Sequence, residues 1–324
     1  WSSDVCSSDL EENNMDTQYS HDFDRIVNTA SSLQKPARVA IAGADVENML
    51  LGLFDAQEAG FAEPILIGNY QKIMDKLKAL GLENRSFDLQ PVADDVNVVQ
   101  YAIDMVAAGK ADVLMRGNTQ TRDFLLPVVN KSNHLLEDGL MTHVSMIKIP
   151  DYHKVLFISD VTLLVRPSAD QKEEIIKNMV RVMKIMNVED PKIAILSLIE
   201  TPNFYMKDTL DAANLVVKQK RHPFADCKLV GPIPWDLIMS KEAARLKNYD
   251  CEYCGDFDGI VMPDLMSGNL LIKVLQMNAR ANSCGIITGA KVPIAITSRS
   301  DSKEQAFLSL AACAILSQTK KYGE

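Results

Sequence analysis

Short β-branched runs alternate along the chain with longer stretches in which apolar residues recur every three or four positions. The short runs lie at 38–42, 64–68, 86–89, 112–115, 144–149, 154–159, 192–196, 228–230, 259–262 and 293–297, and they predict strands. The longer stretches, at 45–59, 70–80, 96–108, 171–186, 209–219, 270–282 and 302–319, predict helices. Alternation of this kind predicts an α/β fold with a mainly parallel sheet. Within 171–186, Ile175, Ile176, Met179, Val180, Met183 and Met186 share one face, while Lys172, Glu173, Glu174, Lys177 and Lys184 fill the other. The runs 144–149 and 154–159 are separated only by Pro150-Asp151-Tyr152-His153, which predicts a hairpin rather than a crossover. The stretch 302–319 is apolar nearly all round, so it predicts either a helix buried in its own domain or one facing another subunit.

Composition narrows the class. The chain has 324 residues, enough for two domains, with 47% hydrophobic and 24% charged residues. Its net charge of −9 argues against a nucleic-acid partner, which needs a positive footprint. An anionic substrate must then be held by local positive charge. No run approaches the roughly 18–20 apolar residues of a membrane span, and no signal peptide is legible, so the expected location is the cytoplasm. Six cysteines are too sparse for a disulfide scaffold. Cys251 and Cys254 have the spacing of a zinc half-site, but no second pair accompanies them, so no metal is expected. The first residues, with two Ser-Ser-Asp units, read as an appended tail over 1–14, with Met15 as the natural start.

Candidate chemistry concentrates where strands end and helices open, because a helix N-terminus offers free N–H groups and a favourable dipole to an anion. Thr297-Ser298-Arg299 closes a strand, and Arg299 adds a bidentate positive fork. Beyond it, Asp301 with Glu304 and Ser302 with Gln305 form two overlapping capping-box patterns, so these polar residues serve a helix start equally well. Asp264…Ser267-Gly268-Asn269 follows another strand. Gly268 permits close backbone approach, and Ser267 or Asn269 is placed to cap the next helix. Arg116-Gly117, with Thr121 beyond, ends the strand at 112–115; Arg116 fits a phosphate contact or a surface ion pair. His143 is the histidine nearest the expected domain border. There is no nucleophile elbow and no P-loop.

From about Arg38 to the C-terminus the chain resembles the phosphate acetyl/butyryltransferase family, enzymes that exchange an acyl group between coenzyme A and phosphate. The resemblance is carried by Pro263-Asp264…Ser267-Gly268-Asn269…Lys273 and by Lys291-Val292-Pro293…Thr297-Ser298-Arg299. It continues through Asp160, Thr209-Leu210-Asp211-Ala212-Ala213 and Gly231-Pro232…Ser240-Lys241-Glu242-Ala243-Ala244. No single piece is specific; the ordered series is. The resemblance implies two α/β domains flanking an active-site cleft, an architecture like that of isocitrate and isopropylmalate dehydrogenases. Domain one would be 15–143 with 288–324, and domain two 144–287.

By resemblance, Ser298 and Arg299 form the phosphate and acyl-phosphate pair. Arg116, Gly117, Thr121, Asp264, Ser267, Gly268, Asn269 and Thr297 would contact phosphate, coenzyme A or the acyl group. The acetyltransferase branch carries a carboxylate seven residues after the serine, and Gln305 stands there instead. Asp301 is then the candidate base for the thiol, with Glu304 next. The resemblance also implies direct transfer in a ternary complex, coenzyme A as substrate rather than cofactor, and a homodimer or larger assembly. The region 142–160 is more similar to the butyryl branch. Two alternatives remain open: a metal-dependent decarboxylating dehydrogenase of the same architecture, and a non-catalytic coenzyme A-binding regulatory protein.

Overall fold

The computed structural model describes residues 21–93, 97–137, 139–297 and 301–319. In chain order the described residues form α1 (His21–Ser31), β1 (Ala37–Ala42), α2 (Glu47–Glu58), β2 (Ala62–Gly68), α3 (Tyr70–Leu80) and β3 (Asp88–Pro91). Next come α4 (Val98–Ala107), β4 (Val113–Arg116), α5 (Thr121–Val129), β5 (Thr142–Lys148), β6 (Leu156–Ser159) and α6 (Ala169–Ile185). The rest is β7 (Lys192–Leu196), α7 (Lys207–Arg221), β8 (Lys228–Ile233), α8 (Trp235–Met239), α9 (Lys241–Leu246), β9 (Gly259–Val261), α10 (Leu265–Asn278), β10 (Asn282–Thr288), β11 (Ile294–Ala295) and α11 (Lys303–Ser317).

All strands join one sheet in the order β3-β2-β1-β4-β11-β10-β5-β6-β9-β7-β8. The five strands from β3 to β11 are mutually parallel. So are the four from β6 to β8. Three antiparallel steps, β11/β10, β10/β5 and β5/β6, join the two sets and reverse their direction. The β5/β6 step is the hairpin expected from Pro150-Asp151-Tyr152-His153.

The two sheet faces differ in how they are covered. One carries a continuous apolar layer from α1, α2, α3, α6, α7 and α11, and Val144, Met146, Cys284 and Ile286 point into it. The opposite face carries two separate clusters. One, under α4 and α5, includes Leu114, Ile287 and Ile296. The other, under α8, α9 and α10, includes Ile147, Ile158 and Ile272. Strand periodicity then sends His143 and Ser145, which alternate with Val144 and Met146, to the face between those clusters. Their cross-strand partners there are Ile287 and Gly285. The polar stripe therefore falls where the apolar cover is interrupted.

Several expectations change. The stretch 270–282 is not one helix: α10 starts earlier, at Leu265, and ends at Asn278, and Arg280 takes a positive φ of 52°. The chain then enters β10, a central strand whose polar start and Gly285 hid it from the pattern. The helix α5 was masked by Pro127 in its last turn. Neither Ser267 nor Asn269 caps α10. Asp264 does, accepting from the Ser267 N–H at 2.8 Å. Of the two overlapping capping boxes, Ser302 with Gln305 is the one formed. The helix α11 is buried within its own chain, with Ala306, Leu310, Ala311, Ala312, Cys313, Ala314 and Leu316 at 0–1% exposure, so intrachain packing accounts for its apolar surface. No helix among the described residues is long and apolar enough to cross a membrane.

Candidate active site

The interrupted face holds a cleft of about 260 Å³. Its floor is the polar stripe of β5 and β10, with His143, Ser145, Ser283 and Gly285. One wall comes from the ends of β4 and β11, with Arg116 and Thr297; the other comes from α10, with Asn269 and Lys273. Asp301 and Gln305, at the start of α11, close one end. A larger cavity of about 860 Å³ lies beyond the ends of β7, β8 and β9. Its charges are balanced and partly self-paired, Lys172 with Asp211 at 3.3 Å and Lys247 with Asp236 at 2.7 Å. The smaller cleft is where Arg116, Thr297 and the N-terminal residues of α11 come together.

Arg116 is 4% exposed, and its Nη1 donates to the Thr121 hydroxyl at 2.6 Å. It is not a surface ion-pair residue. Gly117 does not line the cleft. A Cβ there would lie 2.1 Å from the Gly43 carbonyl oxygen and 2.8 Å from that of Ala42. Glycine at 117 thus lets the chain leave β4 against the end of β1, which fixes where Arg116 points.

Asp264, Ser267 and Gly268 are not brought to the cleft. The Asp264 carboxylate caps α10 and also accepts from the Ser267 hydroxyl at 3.0 Å, on the wall of the larger cavity. Gly268 packs beneath the loop after β6, close to the Asp160 carbonyl and Val161. Asn269 does face the cleft and ties α10 to that loop by donating to the Val161 carbonyl at 3.2 Å. Thr297 is buried, with its hydroxyl on the Met49 sulfur at 2.9 Å. Ser298 and Arg299 lie outside the described residues.

Capping geometry separates the carboxylates near α11. Ser302 accepts from the Gln305 N–H at 3.2 Å, and Gln305 Oε1 accepts from the Ser302 N–H at 2.9 Å. That bond fixes the amide orientation, so Gln305 Nε2 donates to Ser283 Oγ at 3.1 Å. Glu304 is drawn outward by Asn282 at 2.7 Å. Asp301 has no part in the cap and is the one carboxylate among the described residues lining the cleft.

Sequence reasoning gave little weight to the floor. The Asp160 carboxylate is buried and accepts from the N–H groups of His143, Thr162 and Leu163, each at 2.7 Å. Burial holds its pKa above the ordinary value, against the pull of these donors. The loop so fixed brings Thr162 Oγ1 to 3.0 Å from His143 Nδ1. Burial pushes the His143 imidazole pKa down to about 4, so it is neutral near pH 7. The available signal was the alternation His143-Val144-Ser145-Met146 inside an otherwise apolar strand. Cys251 and Cys254 are free thiols, with Cys254 pushed up to about 12 chiefly by burial. Among the described residues no group of three or more His, Cys, Asp or Glu is arranged to hold a metal ion.

A family model described as phosphate acetyl/butaryl transferase matches residues 90–315, which include every residue lining the cleft. The chain belongs to the phosphate acetyl/butyryl transferase family. It is 31% identical over 298 residues to a phosphate butyryltransferase of Clostridium acetobutylicum, covering 92% of this chain and 99% of that one. It is 32% identical over 281 residues to a phosphate acetyltransferase of Thermotoga maritima, covering 87% and 95%. A branched-chain phosphotransacylase from Enterococcus faecalis V583 superposes with a TM-score of 0.74 at 27% identity, over 87% of this chain and 99% of that one. The chain is accordingly a phosphate acyltransferase that interconverts acyl-CoA and acyl phosphate. Family membership sets aside the dehydrogenase and the non-catalytic alternatives.

Proposed function

We propose that this phosphate acyltransferase moves butyryl or a similar short acyl group between coenzyme A and phosphate, in the cleft over β5 and β10. The observation that carries the reading is the convergence of Arg116, Thr297, Asp301 and the N-terminus of α11 on one small polar cleft. Phosphate would be held by Ser298 and Arg299, which directly follow Thr297 in the chain, with help from the helix N-terminus. Arg116, positioned by Gly117 and Thr121, would meet a phosphate group of coenzyme A. Asp301, not used by the helix cap, would take the coenzyme A thiol proton when acyl phosphate is the donor. Transfer is direct, in a ternary complex. The Asp264, Ser267 and Gly268 group acts on this reading by setting the start of α10, from which Asn269 reaches the cleft.

The reading also divides the chain into 15–143 with 288–324 and 144–287. The borders then fall at His143 and Ile287, which pair across β5 and β10 on the cleft floor. It places the enzyme in the cytoplasm as a homo-oligomer. An exposed apolar stripe on α10, formed by Met266, Leu270, Val274 and Met277, supports the assembly: their exposures are 78%, 62%, 45% and 80%. A twofold contact would set that stripe against its own copy.

The test is thiol release from acetyl-, propionyl- and butyryl-CoA with phosphate. Butyryl-CoA should give the highest kcat/KM. A higher value for acetyl-CoA would overturn the chain-length assignment, and no release from any of them would overturn the reading as a whole.

A further inference from the structure

His143 is 7% exposed, and its Nε2 has no hydrogen-bond partner among the described residues. The other ring nitrogen is engaged by the Thr162 hydroxyl at 3.0 Å. Leaving a buried polar atom unpaired is costly, and on a residue that lines the candidate cleft such an atom marks a group that waits for a ligand. Its position is also specific. A Cβ on Gly285 would lie 2.5 Å from His143 Nε2 and 3.1 Å from Cε1, so the ring lies directly over the bare backbone of β10. The imidazole is seated by Thr162 on one side and by the missing side chain of Gly285 on the other. Thr162 is itself held by the Asp160 carboxylate.

We propose that His143, as a neutral imidazole, donates a hydrogen bond from Nε2–H to the acyl carbonyl oxygen and stabilises the oxyanion formed during transfer. The inference rests on the acyl-transfer reading of the same cleft. In the step concerned, a phosphate oxygen forms a bond to the thioester carbon, and the carbonyl π pair moves onto oxygen. When that pair returns, the C–S bond breaks, and its electrons leave with coenzyme A as the thiolate. His143 neither gains nor loses a proton. Thr162 is a positioning residue: its hydroxyl donates to Nδ1, which puts the ring proton on Nε2. A lone pair on Nε2 would instead make His143 a base, and the burial that keeps the ring neutral makes it a poor one for a thiol with a pKa near ~8–9. Donors aimed at a developing oxyanion in a water-poor site are a large contribution to acyl transfer.

The test measures thiol release from butyryl-CoA and inorganic phosphate by the full chain and by folded His143→Gln and His143→Leu variants. His143→Leu should lower kcat by about 10²–10³, the usual effect of losing one oxyanion donor, with both KM values within about threefold. His143→Gln keeps an N–H donor and should recover at least about tenfold of that loss. A Leu variant with wild-type kcat, or a Gln variant as impaired as Leu, overturns the proposal; the latter result would mark a base. Nitrogen-15 NMR of the wild-type ring gives an answer independent of how the variants fold. The Nε2–H tautomer supports the proposal and the Nδ1–H tautomer overturns it. A wild-type protein inactive on every acyl-CoA overturns the acyl-transfer reading and this inference together, whereas activity with an unimpaired Leu variant overturns this inference alone.

Discussion

Arg116 and Thr121 join the end of β4 to the first turn of α5 through one hydrogen bond of 2.6 Å. The guanidinium is almost wholly buried, yet it lines the cleft. Thr121→Val should leave the charge in place but remove this bond from it. Charge-assisted bonds contribute about 1.5–3 kcal/mol. We expect the KM for the acyl-CoA to rise roughly tenfold or more, with a smaller change in the KM for phosphate. Initial-rate kinetics with each substrate varied in turn measure this, and an unchanged acyl-CoA KM would remove Arg116 from the coenzyme A site.

Asp301→Asn separates catalysis from capping, because Ser302 is the residue that caps α11. Turnover from acyl phosphate to coenzyme A should fall by about 10²–10⁴ while the capping box of α11 stays formed. Glu304→Gln, which alters only the outward contact with Asn282, should stay near wild type. The reverse pattern would move the base to Glu304.

Ser302→Ala removes one half of the capping box and should cost about 1 kcal/mol of stability. Gln305→Glu should preserve the box, since Glu serves the same position. It would, however, replace the donor to Ser283 with an acceptor. We expect thermal denaturation to show a lower melting point for the first variant and little change for the second. Equal losses in both would mean that the cap contributes nothing separable.

Acid should weaken the fold through His143. Its folded pKa, about 4, lies below the ordinary 6.5, so the unfolded chain binds the proton first. The stabilisation is complete above pH 6.5 and is lost as pH falls toward 4. At about 1.4 kcal/mol per pKa unit the loss is capped at ~3.5 kcal/mol. Asp160, whose pKa burial raises, opposes part of this decline at the acid end. Urea denaturation across this range should show the decline in wild type and a shallower one in His143→Gln. Parallel curves would place the titration elsewhere.

Leu270→Glu tests assembly. The residue is 62% exposed within the stripe on α10 and does not belong to the apolar layer that includes α11. Sedimentation of wild type should give at least a dimer of the 35.9 kDa chain, and the variant should dissociate. A monomeric wild type at micromolar concentration would end the proposal.

The order of residues alone determined the alternation of strands and helices, because each element needs one periodic apolar face, and period is a local property. Tyr70–Leu80 and Lys192–Leu196 were legible to the residue. The hairpin at Pro150-Asp151-Tyr152-His153 was legible as a hairpin, with strand ends shifted by up to two residues. The ordered motif series from Asp160 to Arg299 carried the family, since each piece keeps its place along the chain. Three things needed the tertiary structure. The strand β10 was hidden, because a central strand can open with Asn282-Ser283 and hold Gly285 when a neighbour such as β5 pairs along its whole length. The choice between two overlapping capping boxes depended on Glu304 being drawn to Asn282, not on the spacing. The floor of the cleft depended on β5 and β10 meeting where the cover of one sheet face is interrupted. That meeting leaves His143 with one nitrogen on Thr162 and the other beside Gly285 without a partner among the described residues, a relation between residues distant in sequence that no local period encodes.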